Sequence, residues 1–428
     1  MYDIDKVNII KLHQLCITNR RLVIKLTIIH RSYHNMKVYN YIIRFNTTMS
    51  QTKQTQPLTK ITSAMDEGKR GTVFACTLHP LNVCFANALR RTLLTHISIC
   101  VIRTESEAVN QCRIETNTTR FHNEIVKHRL SCIPVHVDDP DTLVDKYTLE
   151  VDVTNDTEDV TYVTTEQFRL RSKTTDQYLT REETVKIFPP NLVSNQYIDF
   201  VRLRPKISDA IPGEAIKLTA DFSVGSANIN SMFNVVSLCT YANTMDPVAA
   251  AQAWETTLAA KLATGIAMSK DEIEFEKQNF KLLDAHRYCV PDSFDFKIES
   301  VGIYDNRELM RKACAVLQNR FLDMVLAIEG DAVPIVPSES TVKHSYDVWL
   351  ENEDYTMGKV LEYLLYERFY MGDKSLSFCG FKKFHPHDTK SVIRLAFVDG
   401  TDRNQIRHYL TVVATEAADV FARLHKLF

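Results

Sequence analysis

The 428-residue chain carries 51 Lys/Arg against 53 Asp/Glu, a net charge of −2, with 45% hydrophobic residues. That near-neutral balance argues against a dedicated nucleic-acid binder, whose affinity rests on a basic surface, and the apolar share is enough to fill a core. At about 100–200 residues per domain, the length predicts two to four domains.

The first 48 residues are rich in Asn, Ile and Tyr, with eight Lys/Arg against two acids, and no helical or strand period persists through them. A disordered basic and polar extension is expected over 1–66, with a second methionine, Met49, inside it. Its longest apolar run, "LVIKLTII", is broken by Lys25 and is too short to span a membrane.

"TVFACTL" (72–78) reads as a strand from its β-branched and aromatic content. "VCFANALRRTLL" (83–94) follows as an amphipathic helix with Phe85, Leu89, Leu93 and Ile97 on one stripe and Arg90 and Arg91 on its flank. From 104 to 205, short β-rich runs such as "KYTLEVDVT" alternate with Asp, Asn and Thr turns, and "FHNEIVKHRLSCIPVHV" begins as a short helix. This block is expected to be a small inserted domain.

"EAIKLTADFSV" (214–224) alternates as a strand, and residues 248–283 are helix-prone. "DFKIESVGI" (295–303) is a further strand. The long helix 305–328 presents Leu309, Ala313, Leu317, Phe321 and Met324, with Asp305 as cap and Glu308 placed for a capping box. Two prolines mark 329–341 as a linker.

A second unit then repeats the plan within 342–428. A strand "YDVWLE" precedes a helix carrying Met357, Leu361 and Leu364. Two paired strands flank "HPHDTK", and the closing helix 402–427 presents Leu410, Val413, Phe421 and Leu424. A lone unit of this size buries little surface; two packed through their helix faces bury both. The fold class expected is α+β, a pseudo-symmetric module of two sheet-plus-helix units (67–103 with 206–328, and 342–428), with a β-rich domain (104–205) inserted in the first.

Four stretches carry a family resemblance. "FANALRRTLL" resembles the signature helix of the bacterial RNA polymerase alpha subunit, the third subunit of RNA polymerase II and the archaeal D subunit. "NEIVKHRLSCIPV" and "FDFKIESVGIYDNRELMRKACAVL" are similar to that family's second motif and its closing strand and helix. "LENEDYTMGKVLEYLL…FCGFKKFHPHDTKSVIRLAF" is similar to the eleventh subunit and the archaeal L subunit. Both resemblances on one chain look like a fused assembly subunit of a large DNA virus.

The resemblance implies a non-catalytic scaffold that docks the largest and second-largest polymerase subunits, with other small polymerase subunits nearby. DNA would be met only through the complex, without membrane association, catalytic residues, cofactor or metal. Dimerisation would fall to Phe85, Leu89, Leu93, Leu309, Leu317, Met357, Leu361, Leu364 and Phe421. Asn87, Arg90, Arg91, Glu124, His128 and Arg129 would contact other subunits, the Arg side chains through their planar forks.

Two departures stand out. No cysteine lies between Cys132 and Cys239, so the zinc site often found in the third subunit's inserted domain is absent. "GSANINSMFN" lacks the His and Lys of the family's Gly-rich loop.

The residues taken alone leave other readings. His128 fits a hydrogen-bonded turn anchor better than a general base, because no nucleophile or second acid stands at a supportive spacing. The ten cysteines show no CxxC and are expected as free thiols in an intracellular, reducing compartment, including virion and host cytoplasm or nucleus for a viral chain. A free-standing dimeric DNA-binding regulator is the alternative function, opposed by the net charge. A hydrolase using His128 or "HPHD" is a further rival.

Overall fold

The structure, a computed structural model, describes residues 16–18, 21–28, 39–44, 60–66, 73–208, 211–263 and 268–428. Its contacts divide the chain into Met1–Gln56 and Pro57–Phe428. In the first unit, β1 (Cys16–Thr18), β2 (Arg21–Ile28) and β3 (Tyr39–Arg44) form an antiparallel sheet in that order. The β-branched and aromatic runs "RLVIKLTI" and "YNYIIR" suit a pleated backbone. The expectation of disorder over 1–66 therefore meets strands wherever that stretch is described; its remainder, including Met49, lies outside the described residues.

The second unit opens with β4 (Lys60–Asp66) and β5 (Val73–His79), paired antiparallel, and then α1 (Val83–Thr95). The first sheet thus begins before residue 67, the boundary expected from composition. Burial alternates along β5, placing Phe74, Cys76 and Leu78 on the core face.

The chain next builds the inserted module. It comprises β6 (Ile99–Val101), β7 (Cys112–Asn117), α2 (Asn123–Ser131), β8 (Tyr147–Thr154), β9 (Thr161–Thr164), β10 (Arg169–Ser172), α3 (Arg181–Ile187), β11 (Asp199–Leu203), β12 (Ala215–Asp221) and β13 (Ser223–Gly225). Its main sheet runs β10-β8-β12-β7, with β11-β9 and β13-β6 as two-stranded pairs. A separate core fills it, including Val126, Leu130, Leu149, Phe200, Ile216 and Leu218. Here the expected boundary is corrected. The strand at 215–221, assigned to the dimerisation half from residue 206, lies between β8 and β7 in the module's own sheet. The module's core runs from Cys100 to Phe222.

The first half resumes with β14 (Val236–Met245), α4 (Pro247–Ala263), α5 (Lys270–Leu282), β15 (Cys289–Ser300) and α6 (Asn306–Glu329). Its sheet order is β14-β15-β5-β4. Helices α4 and α5 form a hairpin between β14 and β15, with Trp254 against Phe280 at 5.5 Å and Lys261 paired with Glu276 at 2.8 Å. Asp305 caps α6 by accepting from the Arg307 N–H at 3.1 Å. Glu308 pairs with Lys312 at 3.4 Å, in place of the capping-box role expected of it.

The second half follows with β16 (Ile335–Pro337), β17 (Ser345–Glu351), α7 (Tyr355–Leu365), β18 (Leu376–Lys382), β19 (Lys390–Phe397) and α8 (Arg403–His425), in sheet order β16-β17-β19-β18. The expected linker at 329–341 is therefore partly structural, since three of its residues form the edge strand β16. Helix α7 runs on into a π-helical turn at Tyr366–Gly372, where Phe369 stacks on Tyr409 at 3.9 Å.

The halves meet through helices. Helix α6 packs along α8, α1 on α7 and α6, and α7 on α8. One continuous hydrophobic core takes in β5, α1, β15 and α6 from the first half and β17, α7, β19 and α8 from the second.

Candidate functional site

The seam between the halves is built from the α1 stripe outward. Asn82 starts α1 by accepting from the Cys84 N–H at 3.0 Å, which fixes the rotation that turns Phe85, Leu89 and Leu93 inward. Phe85 lies 5.5 Å from Phe421 of α8 and 6.1 Å from Tyr363 of α7, and Phe421 stacks on Phe321 of α6 at 5.8 Å. The residues named for dimerisation, Phe85, Leu89, Leu93, Leu309, Leu317, Met357, Leu361, Leu364 and Phe421, are all buried in this one core. Leu93 and Leu361 retain only 1% exposure each.

The arginines on the α1 flank divide. Arg90 folds back along its own helix, and its guanidinium donates to Asn87 Oδ1 at 3.0 and 3.2 Å. Arg91 crosses the seam, donating from Nε to Thr356 Oγ1 at 2.8 Å and from Nη2 to the Asp354 carboxylate. The fork expected to meet another subunit is thus engaged within the chain, because Asp354 caps α7 directly opposite. Beside this pair, Arg320 of α6 reaches Glu353 at 2.6 Å, both largely buried.

The charges shape one another. Burial pushes the Glu353 carboxyl up to about 7, beyond what Arg320 can offset, with Asp354 adding to the rise. Burial raises Asp354 too, but the Thr356 hydroxyl and N–H together with Arg91 outweigh it and hold that carboxyl below its ordinary range. His96, at the end of α1, is pushed down to about 4 by burial and by the Arg320 and Arg91 charges, against Asp354.

The second family motif sits on α2, away from the seam. Glu124 is 92% exposed and only distantly paired with His122. His128 is exposed, and Cys132 Sγ lies 3.9 Å from its Nε2. The turn-anchor role expected of His128 belongs instead to Arg129. Its guanidinium donates to the carbonyls of Phe200 at 2.6 Å and Asp199 at 2.8 Å, clamping α2 to β11, and it lies over the Phe121 ring.

A cavity of about 340 Å³ opens on the seam at the N-terminal end of α1, lined by Val83, Cys84, Asn87, Tyr241, Tyr363 and Cys379 among others. Burial pushes the Tyr363 hydroxyl and the Cys379 thiol up to about 12 and Cys84 higher, so these groups stay protonated and act as packing rather than nucleophiles. Among the described residues, no group of His, Cys, Asp and Glu is placed to hold a metal ion, and no helix is long and apolar enough to cross a membrane.

Sequence reasoning missed Arg320, Glu353, Asp354 and Thr356. A local signal existed, since Asp before "YTMGKVL" reads as an N-cap. Its partner lies 263 residues away, where no local rule reaches.

Two sheet-plus-helix units joined through α1, α6, α7 and α8 define a dimerisation module whose chemistry is packing and charge matching. The chain belongs to the family of the RNA polymerase Rpb3/Rpb11 dimerisation domain, whose model matches residues 79–321, more than half of its length. It is also similar to a conjugation stage-specific protein of Tetrahymena thermophila, 26% identical over 183 residues. That match takes in 39% of this chain and 56% of the relative, so the chain spans about half the length of the curated protein it matches.

Proposed function

We propose that the protein is a non-catalytic assembly subunit of a multisubunit DNA-directed RNA polymerase. Its two halves act as an intramolecular counterpart of the paired third and eleventh subunits, and the resulting platform docks the two largest subunits. The observation that carries this reading is the single core shared by the two helix pairs in a chain of this dimerisation family. Tethering raises the effective concentration of one half at the other to roughly millimolar, which favours pairing within the chain. Asn87, Arg90, Glu124 and His128 sit at or near the surface and are the residues through which other subunits would be met, inside the cell that makes the complex.

Affinity purification of the tagged full chain from producing cells, with mass identification of co-purifying proteins, tests the reading. Two large polymerase chains in near-equal amounts are expected. Recovery of the chain without them, or tight salt-dependent DNA binding by the purified chain, would overturn it.

A further inference from the structure

The repeated plan lets the two halves be compared position by position. Taking the caps Asn82 of α1 and Asp354 of α7 as equivalent, Phe85 corresponds to Met357, Leu89 to Leu361 and Leu93 to Leu365, all buried. The same register sets Leu81 against Glu353 and Arg91 against Tyr363. With the caps Asp305 of α6 and Asp402 of α8 equivalent, Arg320 corresponds to Ala417. One end of the seam therefore holds Arg91 and Arg320 facing Asp354 and Glu353. The equivalent positions at the other end are Tyr363, Ala417, Asn82 and Leu81, with no charge among them.

We propose that the Arg320–Glu353 pair, backed by Arg91–Asp354, is a selectivity lock that admits the first half against the second and rejects either half against its own kind from another copy. Two first halves brought together would place both arginines against Leu81 and Asn82, with no acid to meet them. Two second halves would place Glu353 and Asp354 against Ala417 and Tyr363. The apolar stripe cannot discriminate in this way, because large aliphatic and aromatic side chains of similar volume stand at its equivalent positions.

A mismatch is costly because the site is dry. The Arg320 and Glu353 side chains are only 20% and 17% exposed, and Arg320 Nη1 is buried with no acceptor among the described residues. Removing one member of a buried pair strands the other, a loss far larger than the pair's own net contribution. The elevated proton affinity of Glu353 fits a pair that adds little strength of its own and serves to reject wrong partners.

This inference deepens the scaffold reading by saying how the halves choose each other. Its test needs only the purified full chain, so a failure to recover polymerase subunits leaves it standing. Arg320→Glu and Glu353→Lys are made singly, together in one chain, and as two single variants co-expressed. Each single variant is expected to melt more than about 5 °C below the natural chain or to leave the monomer peak in light scattering. The double variant is expected to return to monomer and to within about 2 °C. Co-expressed single variants are expected to yield a 1:1 dimer, since exchanging halves matches every charge. A double variant no better than the singles, or a co-expression without that dimer, overturns the proposal.

Discussion

The first and second halves solve the same packing problem with different amounts of chain. The second half runs from β16 to α8 with short connections, whereas the first interrupts the plan twice, for the inserted module and for the α4–α5 hairpin. The module enters after α1 and returns into β14, and the hairpin lies between β14 and β15, so neither interrupts a helix, and α1 and α6 are buried in the same core as α7 and α8. The buried stripe is nearly interchangeable between halves, and the flanks are not. What the halves share is therefore stability, and what separates them is the charge on either side of the stripe.

The comparison breaks most sharply at Phe421. It belongs to the second half but packs on Phe85 and Phe321 of the first. Phe421→Ala is expected to cost about 3–5 kcal/mol, read as a shifted urea midpoint at unchanged slope. A loss below about 1 kcal/mol would mean that the halves do not depend on one another through this ring.

A smaller effect sharpens the same comparison at equivalent positions Ala86 and Gly358. Ala86 is fully buried in the first half. In the second, a Cβ on Gly358 would come within 2.1 Å of the Phe381 ring on β18. Gly358→Ala is expected to destabilise by about 1–3 kcal/mol despite the better helix propensity of alanine. Adding Phe381→Leu should recover part of that loss, and thermal melts of the single and double variants read both.

The inserted module should respond on its own. Arg129→Met leaves the Phe200 carbonyl, a fully buried residue's acceptor, without its charged donor. About 1–3 kcal/mol of local stability should be lost. Hydrogen exchange should rise across α2 and β11 and stay unchanged along α6 and α8, since the two cores are separate. Equal rises in both regions would show that the module and the seam unfold as one.

Much of this was legible in the sequence where a local rule carries it. The α1 stripe, the Asp305 cap and the β18–β19 pair follow from periodicity and turn chemistry, and the family motifs supply the order. The reading failed where long-range pairing decides. β14, "VSLCTYANTM", alternates too loosely to stand out and exists because β15 pairs with it. β12 reads as any amphipathic strand, and only its neighbours β7 and β8 place it in the module. Arg91 shows why a family motif is not a contact: its charge is visible in the sequence, but its partner belongs to the other half.

The smallest effect concerns pH and opposes two groups of the seam. Glu353 has a folded pKa of about 7, above the ordinary 4.5, so the folded chain holds that proton more tightly than the unfolded one. Its contribution is full below pH 4.5 and is lost as pH rises through about 7. His96 has a folded pKa of about 4, below 6.5, so its contribution is present above pH 6.5 and is lost as pH falls through about 4. Between pH 4.5 and 6.5 the two slopes oppose and largely cancel. Glu353→Gln leaves the His96 slope alone, so the variant should gain on the natural chain by about 1–3 °C in melting temperature as pH is raised from 4.5 to 7. His96→Asn should shift the balance the other way, leaving stability that declines across the same interval. Melts followed by fluorescence of Trp349 and Trp254 at four pH values separate the two. A Glu353→Gln difference that stays flat over that range would mean the carboxyl titrates as if in water and the seam is wet at its charged end.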